Sequence, residues 1–513
     1  MRENVRNTVW VLVINMLQIA VQGTTVIKLA LVLGPESYGL FCFAAIIGTF
    51  GILLGGFGGD QVLIMFGSRD QELLSALLGN ALLLRGLFSA VACLVCFSVG
   101  LAYGLTTTPL LSFMLIVLAH LFLGFVQPLL ASYYRVIGRV RIPWLGMLFT
   151  NSMFLVYIFI SQPNLTSLLA VSLFYLGLNI ALFFVLVINS ANKIRPKISL
   201  ALLKKNCNLS IMFWLTKIVD LLFARIDVFL IQAFLGVTAV GIYSLGYRFV
   251  AVLIAIPSAV HIVMQPELHR CAKDRERRMA LFYRIRRLML EIGCLVTGLT
   301  CICGGKLLEL LSSNEYKGSL PIVIIISMHT AVNYVAYPYS MLVEAEGLIT
   351  QRFWVRVWSL CITLILCVAL IHWFGIIGAA IGVLCGMITF LVLLHILFIR
   401  QYERWNHLAS EMKPLVAAAI GVAGCTLLSF YLPYSNFGFS SEMFAKVLGG
   451  NIAMNIIWIG LQAIIFMFLF FLSGHYMSLL KHIDCYCCFK FAYNSLFQDN
   501  TNINSTISSS VRD

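Results

Sequence analysis

Apolar residues run along this chain in blocks of twenty or more, separated by short polar stretches. About 20 apolar residues in a helix cross the roughly 30 Å hydrocarbon core of a bilayer. Blocks of that length predict fourteen spans, at residues 9–33, 39–66, 76–104, 109–131, 143–162, 165–190, 209–235, 238–265, 285–311, 320–343, 353–374, 376–400, 413–433 and 449–473. Gly34-Pro35, Thr107-Thr108-Pro109, Gln162-Pro163-Asn164 and Gly375 mark tight reversals between neighbouring spans. The predicted class is an all-α polytopic membrane protein. Its first apolar run starts at Val9, is too long for the core of an export signal and leads directly into a second span, so it reads as a retained anchor.

Composition agrees with the pattern. Hydrophobic residues make up 61% of the 513 positions and charged residues 11%, against roughly 45–50% and 25% in globular domains, which excludes a soluble enzyme. The net charge of +14 would suggest a nucleic-acid partner in a soluble protein; here its distribution points elsewhere. Of the 35 Lys and Arg, 26 fall in the termini and in alternate connections, Lys317 and Lys446 fall in the opposite connections, and seven lie within spans. Cytoplasmic connections carry the excess of cations, so both termini are expected in the cytoplasm.

The densest basic run, Arg270 to Arg287, reads as an interfacial helix against anionic headgroups, each cation contributing about 1 kcal/mol near the surface. Residues 498–513 are rich in Asn, Ser and Thr and are expected to be disordered. Most of the fifteen cysteines stand alone in apolar stretches and read as small buried hydrophobes. Cys485, Cys487 and Cys488, after the last span, leave a metal site, lipidation and coincidence all open.

Residues 33–41 read Leu-Gly-Pro-Glu-Ser-Tyr-Gly-Leu-Phe and residues 235–243 read Leu-Gly-Val-Thr-Ala-Val-Gly-Ile-Tyr, both fitting L-G-x4-G-[LI]-[FY]. Each motif occupies the turn between the first two spans of a six-span block, so the blocks enter the membrane in the same orientation. That is a parallel repeat, the usual basis of alternating access around a midplane site. It divides the chain into a six-helix lobe at 1–200, a second at 201–408, accessory helices 13 and 14 at 409–475 and a cytoplasmic tail at 476–513.

Lys28 to Phe41, Tyr133-Tyr134-Arg135 with Gly138-Arg139, and Phe374-Gly375-Ile376-Ile377-Gly378-Ala379-Ala380 together resemble the corresponding segments of the Wzx-type O-antigen and polysaccharide flippases. The likeness covers roughly the first 400 residues. It implies a two-lobed exporter fold shared with lipid II flippases and multidrug exporters. It also implies a bacterial inner-membrane location, a polyprenyl-diphosphate-linked oligosaccharide as cargo, and polymerase and chain-length proteins as partners.

A charge at the centre of a span costs roughly 2.5–3.5 kcal/mol on insertion scales, so it normally faces a cavity or a partner. The seven cations within spans are Lys28, Arg85, Lys217, Arg225, Arg248, Lys306 and Arg356. Lys306 and Arg356 lie near span ends and are expected to snorkel. Lys28, Arg85, Lys217 and Arg248 are the candidates for binding a diphosphate, Arg offering a bidentate fork. On the seventh span Asp220 and Asp227 fall within about 20° of each other with Lys217 some 60° away, making one polar stripe. Lys217 and Asp220 either neutralise each other at i, i+3 or serve transport, while Arg225 faces another helix.

Asp220, Asp227 and Asp60 are the candidate cavity or coupling carboxylates, Asp60 lying near the interface. His329, Asn333, Tyr334, Tyr337 and Tyr339 form a polar aromatic group on the tenth span. Of these His329, Asn333 and Tyr337 are candidate sugar contacts, with satisfaction between packed helices as the other reading.

No G-x4-G-K-[ST] loop occurs, so the expected energy source is a proton or sodium gradient or the membrane potential, with no cofactor. No covalent chemistry and no metal site are expected. An ion-coupled multidrug antiporter of the same fold is the rival function, distinguished by carboxylates dominating its cavity.

Overall fold

A computed structural model of the chain describes residues 2–402 apart from 68–71, 106, 138–140, 162–166, 192–196, 312–313 and most of 252–273. Eleven α-helices are defined among the described residues: α1 (Arg2–Gly56), α2 (Gly59–Gly67), α3 (Leu74–Ala102), α4 (Thr107–Val136), α5 (Arg141–Ile160), α6 (Leu168–Ala191), α7 (Leu200–Leu235), α8 (Val237–Ala251), α9 (Arg275–Leu311), α10 (Leu320–Ala345) and α11 (Ile349–Tyr402), with a 3-10 segment at Asn314–Ser319. No strand occurs among them. The spans expected at 413–433 and 449–473, and the tail with Cys485, Cys487 and Cys488, lie outside the described residues.

Six helices among the described residues are long and apolar enough to cross a membrane: Leu17–Gly56, Leu74–Ala102, Thr107–Tyr134, Leu168–Ile188, Leu320–Ala345 and Ile349–Arg400. The first and last are bent. Gly34 (φ 71, ψ 171) breaks α1 and Gly375 (φ 57, ψ −132) breaks α11, at two of the reversals the sequence predicts. Both dihedral pairs lie outside the helical region, at positive φ, which glycine adopts without the Cβ penalty. Pro35, with no N–H to leave unpaired, suits the first position of the second half.

The halves of α11 run antiparallel because of their small residues. A Cβ on Gly378 would lie 2.0 Å from the Leu370 carbonyl oxygen, one on Gly382 2.5 Å from Cys367 Sγ, and one on Gly386 1.8 Å from Thr363 Oγ1. Partner numbers fall as glycine numbers rise, which is the register of a hairpin. Three glycines spaced by four give one helix face on which the backbones can approach, the small-xxx-small device of membrane helices. Away from such contacts the helices turn apolar side chains outward, with Leu94, Ile160, Ile188 and Trp373 each more than two-thirds exposed. Such a surface belongs against lipid.

Three expectations need correction. The span expected at 39–66 is not continuous: it breaks at Phe57 (φ 43) and Gly58 (φ 68) before α2. Gly58 seats on α7, where a Cβ would lie 2.3 Å from the Ser210 carbonyl oxygen. Helices α7 and α9 also begin about ten residues ahead of the expected spans, since Lys204 to Asn208 of α7 and Arg275 to Arg278 of α9 interrupt the apolar run by which a span is recognised. The basic run entering α9 does not all face headgroups either. Arg278 and Arg286 are buried, the first paired with Glu346 at 2.6 Å and the second donating to the Tyr339 hydroxyl at 3.0 Å.

The two L-G-x4-G segments meet. A Cβ on Gly39 would lie 2.0 Å from the Val237 carbonyl oxygen, and one on Gly241 2.0 Å from that of Pro35. Pro35 and Val237 are separated by the same 202 positions as Gly39 and Gly241, so the contact is reciprocal. Around it Tyr38, Phe43, Tyr243 and Tyr316 are fully buried, and Tyr316 donates to the Ala30 carbonyl at 3.0 Å.

Replacing Gly382 by Leu should lower the apparent unfolding temperature of the detergent-solubilised protein, an overpacking cost of about 1–3 kcal/mol. Gly86→Ala, where an added Cβ meets nothing within 4 Å, should leave that temperature unchanged or raise it.

Candidate functional site

The four charged residues between Lys217 and Asp227 of α7 find their partners on other helices. Lys217 donates to Asp60 of α2 at 2.5 Å, and Asp220 pairs with Arg356 of α11 at 2.9 Å. Asp227, fully buried, accepts from the Tyr243 hydroxyl of α8 and from the Val228 backbone N–H. Arg225 stacks over the Tyr247 ring, 4.2 Å from its centre, which is the separate helix the sequence assigns it. The i, i+3 pairing of Lys217 with Asp220 is therefore not what the fold uses. Residues three apart diverge by about 60° around the axis, and α2 lies on one side of α7 with α11 on the other.

Asp220 and Asp227 also part company. Asp227 is sealed in the protein, while Asp220, with a side chain 37% exposed, lines a cavity of about 330 Å³ formed by α7, α8, α10 and α11. The walls include Phe223 and Ala224 of α7, Tyr247 of α8, His329, Asn333, Tyr337, Ser340 and Glu344 of α10, and Arg352, Arg356 and Phe390 of α11. The polar aromatic group of the tenth span divides here. His329, Asn333 and Tyr337 face the cavity, whereas Tyr334 donates to the Leu253 carbonyl at 2.7 Å and Tyr339 accepts from Arg286.

Arg356 is misjudged by its distance from the span end. Its guanidinium does not snorkel: it lies 3.6 Å from the Phe390 ring centre and 4.5 Å from that of Phe223 and holds Asp220. Cation–π contact on desolvated faces contributes about 2 kcal/mol, which competes well with an aqueous exit. Beside it Arg352 bridges Glu344 at 2.8 Å and donates to Ser340 Oγ at 2.7 Å. The sequence reading missed Arg352, Ser340 and Glu344. Glu344 and Arg352 flank the Gly347 turn between two spans, where polar residues look like solvated loop, and Ser340 lies one turn further into α10.

The remaining candidates lie outside this cavity. Lys28 has its ammonium 5.7 Å from the Phe159 ring centre. Arg248 ends α8, half-buried. Arg85 is 3% exposed on α3, with Nε and Nη1 lacking an acceptor. Among the described residues no carboxylate pairs with Lys28, Arg85 or Arg248 within 4 Å. The side chain of Lys306 lies outside the described residues. Among those residues there is also no group of three or more His, Cys, Asp or Glu able to hold a metal ion.

A bundle of bent and straight apolar helices, with polar and aromatic side chains gathered at a cavity among them, defines a multi-pass membrane protein. The chain belongs to the polysaccharide biosynthesis protein family, whose profile matches residues 29–321. It is similar in structure to the lipid II flippase MurJ in an inward closed conformation, with a TM-score of 0.70 at 13% identity over 90% of this chain and 98% of that one. An inward-facing multidrug resistance MATE family transporter of the MOP superfamily gives 0.60 at 15% identity, over 75% and 94%. A mutant of the Vibrio cholerae MATE transporter VcmN gives 0.55 at 17%, over 79% and 99%. At these identities the likeness is one of fold. No curated protein sequence matches the chain.

Arg356→Gln should destabilise the protein by about 1–2 kcal/mol, because the ion pair with Asp220 and the cation–π contacts with Phe223 and Phe390 are lost. Adding Asp220→Asn should recover part of the loss. Thermal unfolding of the single and double variants in detergent measures the coupling.

Proposed function

We propose that the chain is a flippase. It moves an undecaprenyl-diphosphate-linked oligosaccharide, an O-antigen or other surface-polysaccharide repeat unit, from the cytoplasmic to the outer leaflet of the bacterial inner membrane. Alternating access of the two six-helix lobes, at 1–200 and 201–408, drives the movement, with both termini in the cytoplasm. The observation that carries this reading is the set of cations in apolar helices that no described carboxylate neutralises. A fixed positive charge in low dielectric is stabilised by an anion, and a diphosphate head group leaving water brings one.

Lys28 and Arg248 are the residues best disposed to meet that head group. Lys217 reaches it only on leaving Asp60, and Arg85, buried at the Gly56 surface, attracts it by field. The cavity beside Asp220 then suits the glycan, with His329, Asn333 and Tyr337 as its contacts. It is close to charge-balanced, because Arg352 and Arg356 face Glu344 and Asp220, so it offers hydrogen bonds and aromatic faces without net charge. Coupling to a proton or sodium gradient falls to Asp220, which is open to the cavity, with Asp227 locked to Tyr243. The bilayer, the glycolipid and the polymerase and chain-length proteins are the partners, and no covalent step is involved.

Asp220 and Glu344 on the cavity wall favour a second reading, an ion-coupled multidrug antiporter, since carboxylates attract cationic amphiphiles. Deleting the gene separates the two. The flippase reading expects loss of surface polysaccharide with lipid-linked units accumulating on the cytoplasmic leaflet. Unchanged polysaccharide with new dye sensitivity would favour antiport.

Lys28→Ala with Arg248→Ala should lower glycolipid translocation at least about tenfold, the equivalent of 1.4 kcal/mol, while the protein still inserts in the membrane. Asp220→Asn with Asp227→Asn should abolish translocation under a gradient. Undiminished transport in that pair would end the coupling assignment.

A further inference from the structure

Among the described residues, Asp60, Arg85 and Lys217 meet at the junction of α2, α3 and α7, and one ion pair forms between them. Asp60, one residue into α2, is bonded to Lys217 of α7. Arg85 of α3 stands behind it, buried, with Nε and Nη1 unpartnered. A Cβ on Gly56 would lie 2.8 Å from Arg85 Nη2, so the absence of a side chain there makes room for the guanidinium. Asp60 is the charged group whose field reaches Arg85 among the described residues. A buried guanidinium with idle donors is costly, and it persists here next to a carboxylate already engaged by a different helix.

The surrounding backbone is built to bend. Phe57 has φ 43, the one non-glycine residue among those described with positive φ, and Gly58 follows at φ 68. Phe57 stacks on Phe88 of α3 at 4.5 Å and leans on Trp214 of α7 at 5.4 Å, while Trp214 donates to the Leu53 carbonyl at 2.9 Å. The start of α7 is tied to α3: Asn80 donates to the Ser199 carbonyl and accepts from the Ser199 N–H, both at 2.9 Å. Lys217 lies seventeen residues beyond Leu200, about 26 Å along the helix. A tilt of α7 about its tied end therefore displaces Lys217 relative to Asp60 by several times more than it displaces Ser199.

We propose that Asp60 changes partners as the lobes rock: Lys217 holds it while the Gly58 and Ser210 segments beside it are in contact, and Arg85 takes it when α7 swings away. The inference rests on the alternating-access reading above. It gives Arg85 the task of keeping Asp60 neutralised in the state where those segments separate, and makes Lys217 a latch on the closed one. Both are positioning residues. Their substitutions should bias the conformational equilibrium in opposite directions, a signature that a merely structural ion cluster lacks.

The test uses the full-length protein in nanodiscs, with Ser210→Cys as reporter. Ser210 is buried against Gly58, and its reaction with a water-soluble maleimide, corrected for the same protein without the added cysteine, reports separation of the two segments. Lys217→Gln should raise the labelling rate several-fold and Arg85→Gln should lower it below that of the parent, with Arg85→Lys close to the parent. In an Asp60→Asn background neither substitution should shift the rate. Shifts in the same direction for Lys217→Gln and Arg85→Gln, or shifts that persist in Asp60→Asn, would overturn the exchange. Should Arg85→Gln alone fail to fold, Arg85→Lys must still label no faster than the parent while Lys217→Gln labels faster. The assay contains no cargo, so it can succeed even where glycolipid translocation proves absent, and the two readings fail separately.

Discussion

Hydrocarbon cannot hydrate a charge, and the way this chain meets that constraint organises its interior. Four charged residues between Lys217 and Asp227 of α7 would be prohibitive on a lipid-facing surface. They are accommodated because α7 is surrounded: α2 supplies Asp60 to Lys217, α11 supplies Arg356 to Asp220, and α8 supplies Tyr243 to Asp227 and Tyr247 to Arg225. Each of these contacts fixes one neighbour to α7. Helix α7 is thus fixed by charged and polar contacts to α2, α8 and α11, and the cavity opens where one of its pairs, Asp220 with Arg356, is only partly enclosed.

Close backbone approach does the complementary work. Apolar side chains gain little from one another in a solvent as apolar as they are, so helices associate through shape. Gly378, Gly382 and Gly386 close the α11 hairpin, and Gly39 and Gly241 let the two L-G-x4-G segments touch backbone to backbone. Around that second contact Tyr38, Phe43 and Tyr243 are buried, so the glycines set the spacing of the backbones and the aromatic rings fill the space beside them.

How much of this was legible in the sequence follows from the range of each signal. The breaks at Gly34 and Gly375 were legible because positive φ is a local demand that glycine answers. The charge on α7 was legible too, but not its division: helical periodicity places Asp220 and Asp227 together, whereas Asp220 lines the cavity and Asp227 is sealed against Tyr243. The partners were not, because pairing depends on which helices flank α7, and Asp60 and Arg356 are 157 and 136 positions away from Lys217 and Asp220 in the chain. Arg356 was misjudged by counting residues from the span end when aromatic faces, Phe223 and Phe390, offered a nearer resting place. The break at Phe57 was hidden for a related reason: its cause, the Ser210 carbonyl, lies on another helix. The glycine triplet of α11 was readable at its spacing of four, and its meaning becomes plain only beside Thr363, Cys367 and Leu370.

Charge balance also bears on what such a cavity can accept. The walls beside Asp220 carry two guanidiniums and two carboxylates already bonded to each other, so a strongly ionic ligand would have to break one pair to form another, at little net gain. A hydroxylated ligand breaks none: it can add bonds to Asn333, Tyr337 and the His329 Nδ1 that has no partner among the described residues, and it can lay an apolar ring face on Tyr247 or Phe390. The uncompensated cations stand apart from this cavity, on α1, α3 and α8. A cargo with a charged head and a neutral polyhydroxylated body matches that separation, because each part meets a surface whose electrostatics are already suited to it, and neither site has to surrender an internal ion pair to receive it.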